Sequence, residues 1–326
     1  MTTYLVTGAA GFIGFNLVTH LLNNGHTVIA LDNFSTGSQT QFESLKKHQH
    51  AKRLTGITGD IRNLETCQEA CQNVDYVLHQ AALGSVPRSV ELPDVYNENN
   101  ITGTHNMLIA ARDNKVKKFI YASSSSIYGD TPTLPKVETM TPQPKSPYAV
   151  SKLTNELHAK LFWDLYQLPT IGLRYFNVFG PHQNPNSEYA AAIPKFITAY
   201  LANTPPTIFG DGKQTRDFTY IDNVIHANLT ACENTSENAY GKSYNIGYSD
   251  TISLNQLIQI IKTLTQANVE PIYSDPRAGD VKDSLADITK SQELLHYTPT
   301  ISLKDGLDTT INWYRTQTIP NSIATS

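Results

Sequence analysis

Three glycines in the run Gly8-Ala9-Ala10-Gly11-Phe12-Ile13-Gly14 constrain this chain most, because they lie between a short apolar strand at residues 4–7 and a segment with helical spacing at 11–22. Glycines at such a turn let backbone approach a pyrophosphate. The helix that follows offers free N–H groups and the positive end of its dipole. An ordinary tight turn uses the same residues, so the elements around the turn must decide between the two readings.

Those elements alternate. Strand-like segments at 27–31, 53–57, 74–79, 118–122 and 170–175 are interleaved with helix-like segments at 64–71, 95–113 and 148–168. This alternation predicts an α/β fold with a parallel sheet and right-handed crossovers. Asp32 ends the second strand, where a carboxylate accepts hydrogen bonds from ribose hydroxyls and repels a 2′-phosphate, favouring NAD over NADP. Asn33 follows it. Asp60 and Ile61 end the third strand, a place for the adenine ring. Gln80, Ala81 and Ala82 end the fourth with little bulk, so a cofactor can cross close to the backbone. Asn99 lies on the next helix and joins the candidate set.

Beyond residue 177 prolines break the pattern, and helices are expected at 190–202, 222–232, 253–265 and 303–314. We read residues 1–177 as a dinucleotide-binding domain and 178–326 as a smaller α/β domain over the carboxyl edge of the sheet, with segments near 216–247 returning to the first domain. The cleft between them is the expected site.

The formal charge of −4 provides no basic footprint for nucleic acid. No apolar run approaches the length of a membrane span, and no signal peptide is read at the start of the chain. Cys67, Cys71 and Cys232 are too few for a disulfide framework and fit a reducing cytoplasm. Cys67 and Cys71 are spaced as helix neighbours, but no other ligand cluster accompanies them, so no metal is expected.

Two further motifs carry chemistry. Tyr148-Ala149-Val150-Ser151-Lys152 places a phenol and an ammonium on one helical face, where the cation is expected to lower the phenol's pKa and make Tyr148 a general base and acid. The serine run Ser123-Ser124-Ser125-Ser126 follows the fifth strand and presents hydroxyls at the carboxyl edge. Alone, one reads as an exposed helix pair and the other as a turn. Together with the glycine turn and Asp32, in this order, they read as one site.

These residues identify the chain as resembling the extended short-chain dehydrogenase/reductase superfamily, in which GxxGxxG replaces GxGxxG, and in particular the UDP-hexose 4-epimerases over nearly the whole length. The resemblance implies a Rossmann doubly wound sheet with a smaller substrate domain, NAD as cofactor and a UDP-sugar as substrate. It implies Tyr148 as catalytic base, Lys152 as its partner and ribose ligand, and Ser124, with Ser125 nearby, as the second proton-handling group. Tyr175 falls on the cofactor side and Asn177, in Arg174-Tyr175-Phe176-Asn177, on the sugar diphosphate. Arg216 and Arg277 would grip phosphate and Asp280 the uridine ribose. The stretch His79 to Ser89, with Ser85 at its centre, is similar to bacterial epimerases of N-acetylated UDP-hexosamines. Ser284 takes the position of the family's gatekeeper, a bulky tyrosine in enzymes restricted to UDP-glucose and UDP-galactose.

The reaction so implied is C4 inversion of UDP-N-acetylglucosamine and UDP-N-acetylgalactosamine through a 4-keto sugar, in surface polysaccharide precursor synthesis. Alternatives are the corresponding uronates, UDP-glucose, a nucleotide-sugar dehydratase or decarboxylase, and a non-catalytic NAD sensor. Dehydratases carry an acid beside the serine, and the decarboxylase carries one where Ile127 stands. By the same resemblance the chain is expected to dimerise through the helices at 95–113 and 148–168, forming a four-helix bundle.

Overall fold

The computed structural model describes residues 2–185, 191–276 and 282–318. Seven strands form one parallel sheet: β1 (Thr3–Thr7), β2 (Thr27–Asp32), β3 (Leu54–Thr58), β4 (Tyr76–His79), β5 (Lys118–Ser124), β6 (Thr170–Tyr175) and an edge strand, Lys242–Ile246. Their order is edge strand, β6, β5, β4, β1, β2, β3. The order reverses between β1 and β4, so a crevice opens there at the carboxyl ends.

The expected α/β alternation is present. The edge strand pairs with β6 from Lys242 against Ile171 to Ile246 against Tyr175, so a segment of the second half completes the sheet. The stretch 216–220 does not join it: Thr219–Tyr220 pairs with Val178–Phe179, and Thr215–Arg216 pairs antiparallel with Ile252–Ser253.

The central strands β1, β4, β5 and β6 are almost wholly buried because both faces of the sheet are covered there. One face packs with the helix Phe12–Asn23 and with Ile221–Glu233; Leu17, Val18, Leu21, Val224 and Ala231 are buried there. The other face buries Leu5, Val77, Phe119 and Tyr121 against Cys67, Met107, Leu108 and Phe162. Each large apolar side chain so buried contributes about 1.5–3 kcal/mol. Cys67 and Cys71 belong to this layer, and burial pushes both thiols up to about 12, so they pack rather than react. No metal-ligand cluster occurs among the described residues, nor is any described helix long and apolar enough to cross a membrane.

The glycine turn forms as the sequence requires. Gly8 has φ +67°, and a Cβ there would lie 2.8 Å from the Ala81 nitrogen. Gly14 is tighter: a Cβ would lie 2.1 Å from the Gly8 carbonyl oxygen. Gly14→Ala should therefore force the helix off the turn and cost about 1–3 kcal/mol, read as a lowered Tm in thermal unfolding without ligand. An unchanged Tm would show that the turn yields freely.

Candidate active site

A cleft lies over the carboxyl ends of β1, β2 and β4. Gly8 and Gly11 form its floor, and the first-turn amides of Phe12 and Ile13 precede the first helical bond, Phe15 N–H to Gly11. The Asp32 carboxylate faces this cleft and ties β2 to the turn. Its oxygens accept the Ala10 N–H at 2.9 Å and the Phe34 N–H at 2.7 Å. Burial raises its pKa, and these backbone donors pull the other way. Asn33, Ile61, Gln80, Ala81, Ala82 and Asn99 line the same cleft, as the sequence predicts.

Ser35, Thr36 and Gly37 complete it, and these the sequence reading missed. Their loop folds back because the Ser38 N–H bonds the Ala10 carbonyl at 3.0 Å, and a Cβ on Gly37 would lie 2.7 Å from that of Ala10. The signal available was the Ser-Thr-Gly run just past Asp32. The glycine floor, free helix amides and ribose-facing acid fit a dinucleotide with an unphosphorylated ribose.

Two expected cofactor residues have hydrogen-bond partners within the protein. The Asp60 carboxylate is forked by Arg62, Nε to Oδ1 at 3.0 Å and Nη2 to Oδ2 at 2.7 Å, and accepts Asn33 Nδ2 at 2.9 Å. Arg62 draws its pKa down to about 2. Its neighbour Ile61, not Asp60, lines the cleft. The Tyr175 hydroxyl closes a triangle, donating to Gln80 Oε1 at 3.1 Å and accepting from Asn228 Nδ2 at 2.9 Å, while Gln80 Nε2 donates to Asn228 Oδ1 at 3.1 Å. Tyr175 and Gln80 thus act through this brace, which joins β4 and β6 to the helix Ile221–Glu233.

Tyr148 stands in the first turn of the helix Pro147–Tyr166, capped by Ser146, whose Oγ accepts the Ala149 N–H at 3.1 Å. Ser124, at the end of β5, acts on its phenol in the sense that favours the phenolate. Ser124 Oγ accepts the Ser126 N–H at 3.1 Å. Ser125 begins the 3₁₀ turn Ser125–Tyr128 and is half-buried beside it. Lys152 is buried with Nζ 5.9 Å from the Tyr148 ring centre and donates to the Ala122 carbonyl at 2.8 Å.

The electrostatics correct one expectation. Desolvation raises the Tyr148 pKa; Ser124 opposes this, and no lowering by Lys152 accompanies it. Burial draws Lys152 itself down to about 8, so part of its charge is lost near neutrality. Beneath them His79 bridges Thr7 Oγ1 at 2.8 Å and Thr104 Oγ1 at 3.0 Å. Burial, aided by Lys152, drives its pKa down to about 3 and keeps it neutral.

Across the site, Tyr96 meets the Tyr148 ring edge-on, with centroids 6.5 Å apart, and its oxygen accepts the Ser85 N–H at 3.1 Å. Ser85 caps the helix Val86–Glu91. Asn100, in the wide turn Asn97–Thr102, bonds both backbone groups of Leu83 and the Ser151 hydroxyl, fixing this loop to the Tyr148 helix. Asn177, at φ +28°, donates to the Asp217 carbonyl at 2.9 Å and to Ser284 Oγ at 3.4 Å, bringing two expected substrate residues into contact. The Ser284 N–H bonds Thr215 at 3.1 Å, and Arg216 Nη1 donates to the carbonyls of Thr215 and Lys282. Arg277 and Asp280 lie outside the described residues.

Residues 4–247 match the model of the NAD dependent epimerase/dehydratase family. The chain belongs to that family. A putative UDP-glucose 4-epimerase of Methanocaldococcus jannaschii is 39% identical, over 95% of this chain and 98% of its own. Among solved structures, the UDP-N-acetylglucosamine 4-epimerase of Methanobrevibacter ruminantium in complex with UDP-N-acetylmuramic acid superposes with TM-score 0.91 at 38% identity, covering 97% of this chain and 99% of that one. The UDP-glucuronic acid 4-epimerase of Bacillus cereus, in complex with UDP-glucuronic acid and NAD, gives 0.88 at 36%, covering 97% and 100%. The chain is thus an isomerase of the UDP-sugar 4-epimerase kind with NAD as its cofactor.

In cofactor-stripped protein, Tyr148 should titrate above an ordinary phenol. The difference in absorbance at the phenolate band between wild type and Tyr148→Phe measures this. Added NAD⁺, whose nicotinamide ring is cationic, should move the transition to lower pH. A transition at or below the ordinary phenol value without cofactor would contradict the desolvation account.

Proposed function

We propose that this enzyme inverts C4 of N-acetylated UDP-hexosamines, interconverting UDP-N-acetylglucosamine and UDP-N-acetylgalactosamine. The convergence of Tyr148, Lys152 and Ser124 at the carboxyl edge of the sheet carries the chemical part. Tyr148 takes the 4-OH proton, directly or relayed by Ser124, as the C4–O bond becomes a carbonyl. NAD⁺ supplies the acceptor for the C4 hydride and returns it. Between the two events the 4-keto sugar turns over about its diphosphate, so that hydride would reach the opposite face of C4 while Tyr148 gives the proton back to its oxygen. Asn177, Arg216, Arg277 and Asp280 hold the nucleotide while the sugar moves.

Ser284 supports the N-acetyl assignment. Its side chain, beside Asn177, is small where a tyrosine would be bulky and brings a hydroxyl to meet a polar substituent. Likeness to the Methanobrevibacter enzyme points the same way. Rates on UDP-N-acetylglucosamine, its uronate and UDP-glucose, measured in parallel, test the substrate. Ser284→Tyr should shift the kcat/KM ratio toward UDP-glucose on the order of 100-fold; an unmoved ratio rules out the gatekeeper. Tyr148→Phe should lower kcat by about 10²–10⁴ with NAD still bound, and substantial turnover would refute its role as base.

The same reading includes a cytoplasmic homodimer. Val150, Leu157, Leu161 and Leu165 form an exposed apolar stripe on the Tyr148 helix, 46–66% accessible. Four helices, two from each protomer, would bury it. Leu157→Asp combined with Leu161→Asp should give a monomer near 36.1 kDa by light scattering where wild type gives twice that mass. A monomeric wild type would exclude the bundle.

A further inference from the structure

We infer that the buried Glu156–Arg174 pair is a positioning device that sets the helix bearing Tyr148 in register with the strand bearing Ser124. The inference rests on the proton-handling role proposed for those two residues. Tyr148, Lys152 and Glu156 are spaced by four and share one face of the helix Pro147–Tyr166. Each lower member grips the strands below: Lys152 the Ala122 carbonyl at 2.8 Å, and Glu156 the next residue of β5, whose hydroxyl, Ser123 Oγ, donates to Oε1 at 2.5 Å.

Arg174 on β6 forks the same carboxylate, Nε to Oε1 at 2.9 Å and Nη2 to Oε2 at 2.7 Å. Ser123 and Arg174 are cross-strand partners, and the next pair along the ladder is Ser124 and Tyr175. The remaining arm, Arg174 Nη1, donates at 2.7 Å to the Tyr128 hydroxyl, which donates at 2.7 Å to Asn245 Oδ1 on the edge strand. Tyr128 ends the turn that leaves Ser124. Ser124 is therefore held on both sides by one network centred on the pair.

The side chains of Glu156 and Arg174 are only 9% and 7% accessible. Apolar residues of similar volume hold a helix on a sheet equally well and often without loss of stability. They can slide, whereas a bidentate fork admits one alignment. What the ion pair adds is register between the helix bearing the phenol and the strand bearing the hydroxyl.

Two variants test this. Arg174→Lys keeps the buried charge and loses the fork; Glu156→Leu with Arg174→Met removes both charges at similar volume. Both should retain NAD and UDP affinity, while kcat on the preferred UDP-sugar falls on the order of 100-fold. The acid limb of the kcat–pH profile should also move to higher pH, because Ser124 no longer assists the phenolate. Wild-type kcat and an unmoved limb in either folded variant would overturn the inference, and if the double variant does not fold, Arg174→Lys decides alone. Wild-type protein that binds NAD and UDP but converts no UDP-sugar would instead refute the epimerase reading.

Discussion

A parallel sheet delivers all its strand ends to one edge, and the site depends on that constraint. Because β1, β2, β4, β5 and β6 run together, Gly8, Asp32, Gln80, Ser124 and Tyr175, well separated in sequence, end up beside one another. The reversal of order between β1 and β4 removes the crossover that would otherwise cover them. Close approach at the glycine turn then brings the helix Phe12–Asn23 near enough for its free amides to face the crevice.

What stands around that edge is held by polar networks rather than by apolar packing alone. The Tyr175–Gln80–Asn228 triangle, the Thr7–His79–Thr104 bridge and the Glu156–Arg174 fork each join the sheet to a helix on one of its faces. Buried polar groups are costly when unpartnered, so each network is stable in one alignment and unfavourable in its neighbours. Burial that fixes the geometry also sets the charges. It raises the Tyr148 phenol, depresses Lys152 and keeps His79 neutral, so the protein alone holds the base in its protonated form. A bound cationic cofactor ring is the element that would favour the phenolate.

The alternation of strands and helices, the glycine turn and Asp32 were legible because they follow from local rules of periodicity, backbone freedom and strand-end position. The pairing of Tyr148 with Lys152 was legible as a spacing of four, but its electrostatic sense was not. Desolvation depends on what surrounds a side chain, and the surroundings come from other elements. Asp60 illustrates the same limit: its position at a strand end says nothing of Arg62, two residues on, which forks its carboxylate in the folded chain. The loop Ser35–Gly37 went unread because its fold depends on Ala10, which is distant along the chain.

Sequence by itself determined the fold class, the dinucleotide crevice and the family to which the chain belongs, since each is written in short motifs whose meaning needs only their neighbours. Tertiary structure decided that Asn177 meets Ser284, that Tyr175 serves as a brace, and that Lys242–Ile246 closes the sheet. Those outcomes join residues up to 107 positions apart. A hydrogen bond of about 3 Å between such residues is specified by the packing of whole elements, which no local pattern encodes.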